Sequence, residues 1–266
     1  MDSIPLIIKQ EGHEEGGAEV WVPVSVQGQP YTCLLDTGSA ITTLPWDQLT
    51  SPIHADGHVQ SHGLVGAIHE DRITVSNVIF GPIERVTLSV ARMTNHEGLG
   101  RPLIGMDLLK DVCCHFFFDR HQLVITAESP AAAQPLMVDT GMQPLVPVCI
   151  GDTMVEAVWD TGASRTCVDS TFIAAHPTAF RSFGTSDGTD ASGTTGTTSL
   201  FWMHGLTCKG YEFPEHLVVS LDLTGVNATR THPMTMILGY NMLSHANWVF
   251  DFSSRRWDIL TMITAS

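Results

Sequence analysis

Short apolar runs rich in Val, Ile, Thr and aromatic residues recur along the chain, each closed by Gly, Pro, Asn or Asp. Such punctuation predicts β-strands rather than helices. In the first half the runs fall at Val20–Val26, Thr32–Leu35, Arg72–Phe80, Glu84–Ala91 and Leu123–Thr126. In the second half they fall at Leu145–Ile150, Val155–Trp159, Ser199–His204, Glu215–Leu221 and Trp257–Thr261. Helical periodicity is brief, at Met106–Val112, Thr171–His176 and Asn241–Ala246. Gly184–Ser199 is rich in Gly, Thr, Ser and Asp with no apolar period, and reads as a loop. The pattern predicts an all-β chain with short helices only.

The pattern also repeats. Pro23-Val24-Ser25-Val26-Gln27-Gly28 leads to Leu34-Leu35-Asp36-Thr37-Gly38-Ser39, and Pro147-Val148-Cys149-Ile150-Gly151-Asp152 leads to Val158-Trp159-Asp160-Thr161-Gly162-Ala163. Both pairs keep an offset of 124 residues, from 23 to 147 and from 36 to 160. Further on, Leu103-Ile104-Gly105-Met106-Asp107-Leu108-Leu109 matches Ile237-Leu238-Gly239-Tyr240-Asn241-Met242-Leu243 at an offset of 134. Two motifs in matching order predict two copies of one unit. We place a first lobe at residues 1–128, a linker at 129–135 and a second lobe at 136–266, with Pro and small residues in the crossing.

Composition narrows the function. Thirteen basic residues against 28 acidic ones give a net charge of −15. Charged residues are only 15% of the chain, against about 25% in an ordinary domain, so the acidity comes from a shortage of Lys and Arg. Without a basic footprint, nucleic-acid binding is not expected. No apolar run reaches the roughly 18 residues of a membrane span, and no leader pattern is visible at the start, so a cytoplasmic, membrane-free protein is the expectation. Cys33, Cys113, Cys114, Cys149, Cys167 and Cys208 form no Cys-x-x-Cys pair and read as buried free thiols.

The chemistry concentrates where each apolar strand runs straight into Asp-Thr-Gly. A carboxylate at the end of a buried strand is costly unless it is hydrogen-bonded or functional. The Gly permits a sharp turn and close approach of another chain segment. Thr37 and Thr161 offer hydroxyls and amides for bracing the opposite lobe. If the two loops meet at a two-fold axis, Asp36 and Asp160 come within hydrogen-bond reach. Two carboxylates that close share one proton, so one serves as general base and the other as general acid. The dyad is thus Asp36 and Asp160, supported by Thr37, Gly38, Ser39, Thr161, Gly162 and Ala163.

On these motifs the chain resembles the aspartic proteases, and more narrowly the retropepsin-like branch. Two Asp-Thr-Gly loops, each followed by an apolar–Gly element, carry the resemblance over both halves. It implies a two-lobed, pseudo-two-fold acid-protease fold in which two retropepsin-like lobes are fused into one chain. The implied protein is a monomer that takes a peptide or protein substrate and needs no metal and no cofactor. The function implied is an aspartic endopeptidase. A peptide-binding module without cleavage, or a processing enzyme restricted to itself or one partner, stands as the alternative. The resemblance also implies flaps, for which the candidates are Gly63–Ile68 and Gly193–Thr198. It implies cleft walls at Leu34, Val158, Ile68, Leu103 and Ile237. Asp107 stands where Asn241 stands in the other copy, and Ser39 faces Ala163. Ala40 and Ser164 occupy positions that are often acidic in the retroviral enzymes. A Ser39 hydroxyl donating to Asp36 would favour its charged form, so Asp36 is expected to be the ionised partner and Asp160 the protonated one.

Two further features invite chemistry. Asp139-Thr140-Gly141 is a third triplet, but no apolar strand leads into it and it falls out of the repeat register, so it is not expected to be catalytic. His54, His58 and His62 recur every four residues as ligands on a helix would, yet Pro52, Gly57 and Gly63 interrupt any helix there. A solvated connection is the expectation.

Overall fold

The structure is a computed structural model, and it describes residues 3–11, 16–62, 67–93, 101–127, 133–189, 195–228, 230 and 233–263. It is built almost wholly of strands arranged in three sheets, with only short helices. Two sheets are each made from one half of the chain. The first has eight strands, and at its centre Gln29–Leu35 runs parallel to Leu103–Ile104, pairing Leu34 with Leu103 and Leu35 with Ile104. The second repeats this, with Thr153–Trp159 parallel to Met236–Leu238, pairing Val158 with Ile237 and Trp159 with Leu238. The two motifs that recur in the sequence are therefore neighbours in space within each lobe.

The third sheet joins the halves. Its order is Ser3–Pro5, Gln122–Thr126, Cys113–Phe117, Ala246–Asp251, Arg256–Met262 and Gln134–Pro135. The first three strands come from the first half and the last three from the second. In the middle pair His115 lies opposite Val249, its own counterpart at the repeat offset of 134, so the approximate two-fold axis passes there. Of the expected linker, Gln134–Pro135 pairs with Arg256–Met262 and so lies at the edge of this sheet, while residues 129–132 lie outside the described residues.

The central sheet carries the core beneath the site. Trp159, the residue before Asp160, is fully buried, with its ring 4.7 Å from Phe116 and 4.5 Å from Phe250. Trp248 continues the stack, 6.2 Å from Trp257. Buried aromatic pairs at such separations contribute about 0.5–1.5 kcal/mol each beyond their area burial. Strand alternation then sorts the neighbours. Leu35 and Trp159 face this main core, whereas Val158 and Ile237 turn the other way and join Leu145, Cys167, Leu223 and Met234 in a separate apolar cluster.

Gly184–Ser199, expected as a loop, belongs instead to a hairpin of Phe180–Thr189 and Thr195–Met203, with Thr185 opposite Ser199 and Asp187 opposite Thr197. Phe183 within it is 55% exposed, and the outer end of a solvated ribbon has no buried face to impose an apolar alternation. Cys113–Phe117 and Ala246–Asp251 were not anticipated as strands. Both are enclosed at the lobe junction, so they read as continuous apolar runs rather than alternating ones. None of the six cysteines is bridged. Among the described residues, no helix is long and apolar enough to cross a membrane.

Candidate active site

The two Asp-Thr-Gly loops meet and hold each other. Thr37 Oγ1 donates to the Trp159 carbonyl at 2.8 Å, and Thr161 Oγ1 donates to the Leu35 carbonyl at 2.6 Å. In return, Thr161 N donates to Thr37 Oγ1 at 3.1 Å and Thr37 N to Thr161 Oγ1 at 3.2 Å. Both threonines are fully buried. Each hydroxyl thus satisfies a carbonyl and an amide that the tight turn would otherwise leave unpaired.

This brace brings Asp36 and Asp160 together, with their carboxyls hydrogen-bonded to each other. Both residues keep some surface open to solvent, although the carboxyls are deeply set. Glycine is required beside them. A Cβ on Gly38 would come within 2.6 Å of Asp160 Oδ2, and one on Gly162 within 2.4 Å of Asp36 Cγ. Behind them, Asp36 N donates to Ile104 O at 2.9 Å and Asp160 N to Leu238 O at 3.1 Å, which ties each loop to its apolar–Gly element. Gly105 and Gly239 pass beneath the loops, where a Cβ would strike the backbone of Ile41 at 2.6 Å or of Arg165 at 2.3 Å.

Ser39 does not supply the hydroxyl bond to Asp36 that the sequence suggested. Ser39 Oγ donates to the Ile41 carbonyl at 3.1 Å, so its hydroxyl is spent elsewhere. Burial raises Asp36 well above the ordinary carboxylate range, and the Asp160 charge and hydrogen bond raise it further. Burial raises Asp160 too, but amides oppose it: Gly162 N donates to Asp160 Oδ1 at 2.8 Å and Gly38 N at 3.1 Å. The Gly38 and Ser39 amides oppose the rise on Asp36 as well, so burial raises both carboxyls and the pair shares its proton as one unit.

The other expected residues are distributed as follows. Leu34, Val158 and Ile237 are buried and Leu103 is half-buried, all on strands adjoining the loops. Ala40 is exposed and Ser164 half-buried on the loops themselves. Of the first flap candidate, residues 63–66 and the side chains of 67 and 68, Ile68 included, lie outside the described residues; residues 193 and 194 of the second do as well. His58 lies on the strand Gly57–His62 with Nδ1 3.5 Å from Asp71 Oδ1, and His54 precedes that strand, so the spacing of four does not describe a helix. Among the described residues, no three His, Cys, Asp or Glu side chains gather in a metal-binding group. Asp139, from the third triplet, accepts Gln143 N at 2.8 Å and pairs with Arg230. Gln143 went unnoticed in the sequence, yet its Nε2 donates to the Gly38 carbonyl at 2.8 Å. Its place just before the strand Pro144–Ile150 carries no motif, and only the meeting of the lobes reveals the contact.

Comparison with known proteins agrees with this geometry. A family model described as aspartyl protease matches residues 22–108, the stretch that holds the first Asp-Thr-Gly and the first apolar–Gly element. Among solved structures, the chain is similar to an aspartic proteinase from Irpex lacteus with a TM-score of 0.62. The match covers 98% of this chain and 97% of that one, at 15% identity. No curated protein matches the sequence. The family match lies over the first lobe's motifs and supports the aspartic-protease reading. The structural likeness carries the two-lobed fold across the whole length.

Proposed function

We propose that the protein is an aspartic endopeptidase in which Asp36 and Asp160 act on the peptide bond through one water, with no covalent intermediate. The observation that carries this reading is the hydrogen bond between the two carboxyls, held by reciprocal threonine bonds and backed by raised proton affinity on Asp36. Asp160, steadied as an anion by Gly38 N and Gly162 N, takes a proton from the water as its oxygen attacks the carbonyl carbon. Asp36 gives its proton to the carbonyl oxygen, which yields a neutral gem-diol. Asp160 then protonates the leaving nitrogen, the C–N bond breaks, and a gem-diol hydroxyl returns its proton to Asp36. Both aspartates come from one chain, so a monomer suffices. By resemblance, the substrate is an extended peptide lying across the pair beneath the flaps, with apolar side chains beside Leu34, Leu103, Val158, Ile237 and Ile68.

The test is cleavage of a mixed peptide library at acidic and neutral pH by the wild-type chain, Asp36→Asn and Asp160→Asn. The expected result is cleavage by the wild type that a transition-state-mimicking inhibitor blocks, with loss of at least about a thousandfold in either variant. Cleavage that persists unchanged in Asp36→Asn overturns the reading. Peptide capture without cleavage assigns the same cleft to binding.

A further inference from the structure

The third Asp-Thr-Gly triplet has no place in the mechanism, yet it anchors a chain of hydrogen bonds that ends at the dyad. Asp139 opens the turn between the strands Met137–Val138 and Pro144–Ile150. Its backbone closes the turn, with Met142 N donating to Asp139 O at 3.0 Å and Asp139 N to Gln143 O at 3.1 Å. Its side chain does two things. Oδ1 accepts Gln143 N at 2.8 Å, and Oδ2 pairs with the Arg230 guanidinium, where Asp139 keeps only 7% of its side-chain surface. Arg230 Nη2 also donates to Gln143 Oε1 at 2.8 Å. The far end of the same amide, Gln143 Nε2, crosses to the first lobe and donates to the Gly38 carbonyl at 2.8 Å.

The Gly38 carbonyl and the Ser39 N–H belong to one planar peptide unit and point to opposite sides of it. That N–H faces Asp36, donating to its backbone oxygen at 3.3 Å and lowering the proton affinity of its carboxyl. A donor on the carbonyl end fixes the plane of this peptide and polarises its N–H, because hydrogen bonds in series strengthen one another. The series runs from the Arg230 cation through the Gln143 amide and the 38–39 peptide to Asp36.

The matching position in the other lobe is spent differently. The repeat counterpart of Gln143 is Glu19, at the offset of 124. Glu19 accepts from Trp21 Nε1 at 2.8 Å and pairs with Arg101. A carboxylate has no proton to donate to a backbone carbonyl. This series therefore reaches Asp36 and has no copy through Glu19.

We propose that Gln143, held by Arg230 and Asp139, is a positioning residue that stabilises negative charge on Asp36 and so lowers the pH at which the dyad loses its shared charge. The role named for it presupposes the peptidase reading, but the proton affinity of the pair can be measured without catalysis. Other titratable groups facing the pair come from the second lobe. They are the Cys167 thiol, pushed up to about 12 by burial, and Arg165 beside it.

The test compares the wild-type chain with Gln143→Met, which keeps the volume and leaves Arg230 paired with Asp139. Carbon-13 NMR of the aspartate carboxyls follows the titration of the pair in the free protein, and the acidic limb of kcat/KM follows it during cleavage. Both are expected to move upward, by roughly half a unit. Gln143→Glu, which copies the Glu19 arrangement, is expected to move them further, and it carries the test if the Met variant does not fold. Unmoved titration overturns the proposal, even if activity falls evenly at all pH values, because that is what a purely structural role would give. If the titration moves but no peptide is cleaved by the wild type, the positioning role stands and the peptidase reading fails.

Discussion

In the first lobe, the Asp107 carboxylate accepts Thr42 N at 2.9 Å and Thr42 Oγ1 at 2.6 Å. In the second, the single oxygen of Asn241 accepts Thr166 N at 2.9 Å and Thr166 Oγ1 at 3.1 Å, leaving its amide to donate to Leu217 O at 2.6 Å. The threonine hydroxyls then accept alike, from Gly105 N at 3.1 Å and Gly239 N at 3.3 Å. Both halves thus fasten the catalytic loop to the apolar–Gly element through one Thr. One half uses an ionisable anchor and the other a neutral anchor with a spare donor. The threonine bonds that cross between lobes are reciprocal, while the groups behind them differ. Symmetry is what brings two carboxyls into one hydrogen bond.

Three pairs of substitutions probe this comparison. The largest effect is expected where the halves are most alike. Gly38→Ala would push its Cβ onto Asp160, and Gly162→Ala onto Asp36, so the displaced carboxylate should reduce kcat by about a hundredfold or more in either variant. A loss in one variant only would mean that the loops are not equivalent.

A middling effect is expected at the brace. Thr37→Val or Thr161→Val removes a buried hydroxyl that satisfies one carbonyl and one amide, which should cost about 2–4 kcal/mol of stability in urea unfolding. The two costs should agree within about 1 kcal/mol, since the bonds are reciprocal.

The smallest effect separates the lobes. Burial raises Asp107 above its ordinary range, despite the Thr42 hydrogen bonds that lower it. A carboxyl whose folded-state affinity is raised contributes stability below its unfolded pKa and loses that contribution as pH rises through the folded value. Asp107→Asn should therefore raise the melting temperature by about 2–4 °C at neutral pH. That gain should disappear below about pH 3, where the wild-type carboxyl is also neutral. Asn241→Asp should lower it, increasingly so as pH rises, because Leu217 O loses its donor and a buried charge appears. Melting curves of both variants across this pH range supply the check.

Much of this was legible without coordinates. The repeat of Asp-Thr-Gly and of the apolar–Gly element is local in sequence, and a turn that needs Gly beside a carboxylate leaves its mark in consecutive residues. Leu35 and Trp159 could be read as buried from the apolar runs that contain them. The outer part of the hairpin Phe180–Thr189 and Thr195–Met203 could not be read as strand, because it pairs with itself and stays largely solvated, whereas Leu200 and Met203 nearer its base are buried and lie in the run read as Ser199–His204.

The sequence by itself therefore determined the two-unit organisation, the pair of aspartates, the glycines that let them approach, and the threonines available to brace them. Each follows from what a single loop must do with its own backbone. Only the tertiary structure decided that Ser39 spends its hydroxyl on Ile41, that Asp160 gathers the amides of Gly38 and Gly162, and that Gln143 reaches across 105 residues to the Gly38 carbonyl. Those outcomes depend on which donor lies nearer to which acceptor once two lobes dock. A hydrogen bond is won or lost over a few tenths of an ångström, and no spacing along a chain encodes that distance.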